Sequence, residues 1–193
     1  MKSIKFVSAV AMAAGILAAG GAQAQAIGGG AIDFGGSVID ATCPIRGGAG
    51  TDGGDSSFNV ALEPVSIGAL RKAGDTANHK AFNITIGGPN DGVCENGKLA
   101  RISFVASGSF IDPDSGTLRN VQAVDFGGAA NTNIQVTDGD GKPINLADPQ
   151  SGVNSPEIAN NTTTIRLGAR YYATGAARGG LVKTRVMYNV NYN

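Results

Sequence analysis

The sequence is short of the groups that most enzymes and nucleic-acid binders use. It holds a single histidine, His79, in the polar run Asn78-His79-Lys80. A lone polar histidine with no obvious acid, base or metal partner reads as a solvated side chain. Charge is scarce: 16% of residues are Asp, Glu, Lys or Arg, and they cancel to a formal net charge of zero. The chain as a whole therefore gives no electrostatic reason to expect nucleic acid or an anionic membrane as partner. Neither a GxSxG nor an HExxH motif is present. There are only two cysteines and no CxxC, which argues against a thiolate metal site. Asp138-Gly139-Asp140-Gly141 lacks the remaining ligands of a calcium loop and reads as a hairpin turn; Asp112-Pro113-Asp114-Ser115-Gly116 is likewise turn chemistry. These absences predict a non-enzymatic protein with no metal and no cofactor. Helical periodicity is missing beyond a turn near Ser66 to Leu70, and no repeat of solenoid or propeller period occurs.

What the sequence does have begins at its N-terminus. Lys2 and Lys5 precede an apolar stretch from Phe6 to about Ala19, and Ala22-Gln23-Ala24-Gln25-Ala26 offers two overlapping A-x-A cleavage sites. That order is a secretory signal peptide over residues 1–26, cleaved after Ala24 or Ala26. The apolar stretch is short for a membrane span, which needs about 20 residues. No second stretch is long enough, so stable membrane insertion is not expected. Removing Lys2 and Lys5, with no acid beside them, leaves the mature chain at a formal charge of minus two. Two cysteines in an exported chain predict one disulfide, Cys43–Cys94.

The 30 glycines are not periodic; between them lie short β-branched and aromatic runs. Short strands joined by glycine-rich turns predict one all-β domain of about seven strands, the number in an immunoglobulin-like sandwich. Expected strands are Phe58 to Leu62, Ala81 to Ile86, Leu99 to Ala106, Asn133 to Thr137 with Pro143 to Leu146 as a hairpin, Thr163 to Tyr172, and Leu181 to Tyr192. A loop is expected from Thr174 to Gly180, and a Gly- and Asp-rich loop of no evident role over Gly47 to Asp55. Two segments alternate closely. In the mature N-terminus, Gly30, Ile32, Phe34, Gly36 and Val38 share one parity. At the C-terminus, Val182, Thr184, Val186, Tyr188, Val190 and Tyr192 share one face, and Lys183, Arg185, Met187, Asn189 and Asn191 the other.

Three features now carry a family resemblance: Gly29-Gly30-Ala31-Ile32-Asp33-Phe34-Gly35-Gly36-Ser37-Val38 leading to Cys43, the pair Cys43 and Cys94, and Ala169-Arg170-Tyr171-Tyr172-Ala173-Thr174-Gly175 followed by the alternating last strand with Tyr192 penultimate. In their order and spacing the chain resembles the subunits of chaperone–usher pili, close to the type 1 fimbrial major-subunit (fimbrillin) group. The resemblance implies an incomplete immunoglobulin-like β-sandwich, completed by a donor strand from another subunit. It divides the mature chain into an N-terminal donor-strand extension over residues 27–36 and a pilin domain over 37–193. Ile32 and Phe34 would fill pockets in a neighbour's groove, with Gly30 and Gly36 on the same face. Val182, Val186, Tyr188, Val190 and Tyr192 would line the chain's own groove, on the strand a chaperone pairs with. Implied partners are identical or related pilin subunits, a periplasmic chaperone and an outer-membrane usher. The implied role is a structural subunit of a surface pilus (fimbria), supporting cell adhesion and biofilm formation after export through the periplasm. The alternative is a free-standing periplasmic or secreted β-sandwich binding module, which leaves the alternating segment ahead of Cys43 without a purpose.

Overall fold

In the computed structural model, residues 43–89 and 92–193 are described. The export signal and the extension, with Gly30, Ile32, Phe34 and Gly36, lie outside the described residues. Among the described residues seven strands form: β1 (Ile45–Gly47), β2 (Thr76–Gly87), β3 (Leu99–Val105), β4 (Ala130–Asp138), β5 (Gly152–Glu157), β6 (Thr162–Arg178) and β7 (Met187–Tyr192). They make two antiparallel sheets, one in the order β1-β2-β6-β4 and the other β5-β3-β7.

The core is written by alternation. On β2, Phe82, Ile84 and Ile86 point inward and meet Ile165, Leu167 and Ala169 of β6, Ile134 and Val136 of β4, Ala100 and Ile102 of β3, and Val190 of β7. Ile84, Ile86, Ile102 and Ile165 are almost wholly buried, and each contributes about 1.5–3 kcal/mol by leaving water. The two strands Ala81 to Ile86 and Leu99 to Ala106 are thus found with the faces expected of them. The turn near Ser66 is also present, as a 3-10 helix over Ile67–Ala69 with the Ser66 side chain accepting from the Gly68 N–H.

Other expectations need correction. Among the described residues Phe58 to Leu62 joins no ladder; Asp52 instead bonds the Asn59 backbone and side chain. Strand β6 does not stop at Tyr172. It runs on to Arg178, where Ala130 pairs with it, so the expected loop from Thr174 is mostly strand. Pro143 to Leu146 makes only an isolated bridge and one backbone bond to β4, from Ile144 N–H to the Val136 carbonyl, and its Ile144 and Leu146 plug the core. Strand β5 was not anticipated, since Pro156 stands inside it. Pro156 is tolerated there because β5 is an edge strand with a bulge between its bonds to Leu99 and Arg101. Within the bulge, Ser155 Oγ takes the Ala100 N–H at 3.0 Å.

The turns are held by carboxylates. Asp138 Oδ1 accepts the N–H groups of Asp140 and Lys142. Asp112 accepts from the Asp114 N–H and the Asn133 amide. Burial raises the Asp112 pKa, but these hydrogen bonds and those of Ser115 outweigh it and leave the group below its ordinary 3.8. The Gly47–Asp55 loop folds onto β2, with Gly48 N–H and Ala49 C=O both bonded to Asn83 and an Arg46–Asp55 ion pair at its base.

The sandwich has two distinguishable ends. At one lie the start of β1, the ends of β2 and β7, the start of β6 and the bonded pair Cys43–Cys94, whose Cα atoms are 5.1 Å apart. Asn161 bridges there to the Cys94 carbonyl. At the other lie the start of β2, the end of β6 and Leu181, which exchanges backbone bonds with Gly127 and Ala129.

Candidate functional site

Among the described residues, the last stretch, Leu181 to Asn193, is bonded on one side only. Leu99 and Asn193 exchange both backbone hydrogen bonds, at 3.1 and 3.0 Å. The register then makes Arg101–Asn191, Ser103–Asn189 and Val105–Met187 the bonded pairs of the ladder. Further back, Leu181 bonds to Gly127 and Ala129, Lys183 to Val121 and the Asn120 side chain, and Arg185 to Phe110. The odd-numbered residues therefore direct their backbone bonds to one side, toward β3 from Met187 on and toward the Phe110, Val121 and Gly127–Ala129 segments before it. The alternation turns the main chain of Val182, Thr184, Val186, Tyr188, Val190 and Tyr192 to the opposite side, where β7 is the edge of its sheet among the described residues.

The side chains of those same even residues point to the core. Val190 is buried, and Val182, Val186, Tyr188 and Tyr192 are half-buried against the core cluster; the odd residues are exposed. The five residues singled out in the sequence are thus brought to one face. Thr184, on the same face, was not singled out. Its hydroxyl and that of Tyr192 are buried without a partner among the described residues.

Across from this edge stands the other unladdered segment, Phe58 to Leu62. Phe58, Val60 and Leu62 rest half-buried on the core, while Asn59 and Ala61 face outward. The two flanks touch at one point: the Phe58 and Tyr188 rings are 6.0 Å apart and tilted by 41°, and the Tyr188 hydroxyl donates to the Ser56 carbonyl at 2.7 Å. Burial pushes the Tyr188 and Tyr192 phenols up. Among the described residues no backbone hydrogen bond joins the two flanks. Among the described residues an apolar seam remains, flanked by main chain that joins no ladder across it. Sequence reasoning read Phe58, Val60 and Leu62 as an ordinary strand; only their lack of a partner marks them as a wall of this seam.

Catalytic or metal chemistry finds no support in this geometry. His79 is exposed, its Nε2 3.0 Å from the Thr137 hydroxyl, above Gly168 where a Cβ would run into its ring. Among the described residues no cluster of three or more His, Cys, Asp or Glu side chains is placed to hold a metal, and no helix is long and apolar enough to cross a membrane.

An all-β sandwich of immunoglobulin-like type, with its last strand left at an open edge, defines a pilin-type fold. The comparisons narrow this. The family described as "Fimbrial protein" matches residues 32–193. The F17 fimbrial protein of Escherichia coli is 31% identical, over 92% of this chain and 95% of that protein. The type-1 fimbrial protein A chain of Escherichia coli strain K12 is 29% identical, over 89% of this chain and 87% of that protein. In fold, the chain superposes on a subunit from a solved chaperone–usher pilus with a TM-score of 0.54 at 17% identity, covering 86% and 97% of the two chains. The chain belongs to the fimbrial protein family. It is a structural subunit of a bacterial surface pilus, carried to the cell surface as part of the fimbria. The family's members are structural subunits rather than enzymes.

Proposed function

We propose that the chain polymerises by donor-strand exchange, with the seam as acceptor and residues 27–36 of another copy, or of a related pilin, as donor. The observation that supports this reading is the open edge itself. Along the stretch from Val182 to Tyr192, five inward side chains line an edge that no other strand pairs among the described residues, facing a second segment that also lacks a ladder there. Such an edge is an aggregation hazard unless something fills it. Ten extended residues reach about 33 Å, close to the length of the edge from Val182 to Tyr192. Ile32 and Phe34 supply the side chains that enter the seam, and Gly30 and Gly36 sit where it is too tight for one. Main-chain bonds then give affinity, and the alternating side chains set the register.

Before exchange, a periplasmic chaperone occupies the same edge, pairing with the strand that carries Val182, Val186, Tyr188, Val190 and Tyr192. An outer-membrane usher passes the subunit on to the fibre. Adhesion and biofilm formation follow at the level of the whole pilus.

Phe34→Asp tests the reading on the mature chain. The carboxylate would have to enter an apolar site, so heat-resistant polymers should disappear while the chaperone complex is recovered as before. Normal polymers from this variant would sink the assignment. So would a mature chain that stays a stable, folded monomer without any partner, since that is the behaviour of a free-standing sandwich.

A further inference from the structure

The exposed apolar side chains are not scattered. Of the eight large hydrophobic residues that stand exposed among the described residues, five lie at the Leu181 end: Ile67, Val121, Val124, Phe126 and Leu181. The backbone gathers them. Leu181 bonds to Gly127 and Ala129, Val121 bonds to Lys183, and Ile67 lies against Gly179. Phe126 is the extreme case, with 79% of its surface open to water at the end of a 3-10 helix, Val124–Phe126. Nothing in the folding of this domain calls for that exposure, and contiguous apolar surface of this kind marks contact sites.

The patch is continuous with the seam, because Leu181 begins the stretch whose next residue, Val182, lines it. A donor extension can enter the seam from either end. The described chain begins at Cys43, on the far end from the patch, and the extension precedes it in sequence. Entry from the Cys43 end would press the incoming domain against the place where the recipient's own extension departs. Entry from the Leu181 end has no such conflict, and it brings the incoming Cys43 end to the patch. That end carries two more of the exposed apolar residues, Val93 and Leu99. Residues 37–42 are all that separate the extension from Cys43, and they span at most about 20 Å. The two domains are thereby held within reach.

We propose that the patch of Ile67, Val121, Val124, Phe126 and Leu181 is a domain-to-domain contact, on which the next copy of this chain seats its Cys43 end while its extension fills the seam. The inference rests on the strand-exchange reading above. It makes the contact heterologous, one end of each copy against the other end of the next, which propagates a filament rather than closing a dimer.

The test places the photo-crosslinker benzoylphenylalanine at position 126 in polymers of the mature chain. Phe126 is exposed, so folding should not suffer. A control chain carries the same group at Arg166, exposed on the outer face of the β1-β2-β6-β4 sheet. The expected result is a dimer crosslink from position 126, mapped by mass spectrometry to the Val93–Leu99 region of the neighbour, absent from the Arg166 control and lost with Phe34→Asp. Heat-resistant polymers with no crosslink from position 126, or with crosslinks only to other surfaces, overturn this contact and leave strand exchange standing. Failure of the unsubstituted chain to form any polymer overturns both.

Discussion

Gly87 shows how much one residue can decide. It ends β2 with a φ of +75°, and a Cβ there would meet the Asn161 carbonyl and the Cys94 sulfur. Gly87→Ala should therefore lower stability by at least about 1–2 kcal/mol from the left-handed backbone alone, with crowding added. A denaturation midpoint unchanged from the wild type would refute this. Asp112 decides the acid side. Its pKa lies below 3.8 in the folded chain, so it adds stability that is complete above 3.8 and is lost as pH falls through the lower folded value. Asp112→Asn keeps an acceptor oxygen but not the charge. The variant should unfold more readily than wild type at neutral pH, and the gap should close in strong acid. A gap that persists there would mean the carboxylate's charge is not what holds the turn. The residues behind these effects differ in legibility. Asp112 stands in an Asp-Pro-Asp-Ser-Gly run that announces a turn, whereas nothing local to Gly87 signals the approach of Asn161 from the turn before β6.

Among the elements, those that alternate over a single buried face were legible. Phe82, Ile84 and Ile86 predict β2, and the even residues from Val182 to Tyr192 predict the last strand and its inward face. What failed was pairing, which is a property of two segments and not one. Phe58 to Leu62 has the pattern of a strand but no ladder. Leu181 to Val186 has the pattern as well, yet it is tied to Phe110, Val121 and Gly127 by bonds too irregular to extend β7 backwards. Thr174 to Arg178 lacks an apolar pattern and is strand nonetheless, because β4 stays paired on both sides of it, Thr132 with Ala173 and Ala130 with Arg178. In β5, Pro156 masked a strand that only an edge position permits. The patch around Phe126 was invisible for the same reason: three segments far apart in sequence, at Ile67, Val121 to Phe126 and Leu181, meet through contacts that no local period encodes.

For the molecule as a whole, the disulfide closes a loop of 51 residues. In the chain-entropy account, such a closure stabilises the fold by roughly 4 kcal/mol. Cys43→Ser should therefore reduce the yield of subunit recovered with its chaperone; undiminished yield would show the bridge to be dispensable for folding. The position of the bridge has a further consequence. In a fibre pulled lengthwise, tension reaches each domain through residues 37–42 and arrives at Cys43. Directly behind it is β1, three residues on a sheet edge, which alone would peel away one bond at a time. The bond to Cys94 splits that force and leads part of it toward Leu99 and β3, in the second sheet. There the β3–β7 ladder, six residue pairs long, would share the load. In a fibre joined by strand exchange, a covalent link between two cysteines would thus act as a mechanical coupling, through where it sits as well as through what fills the seam.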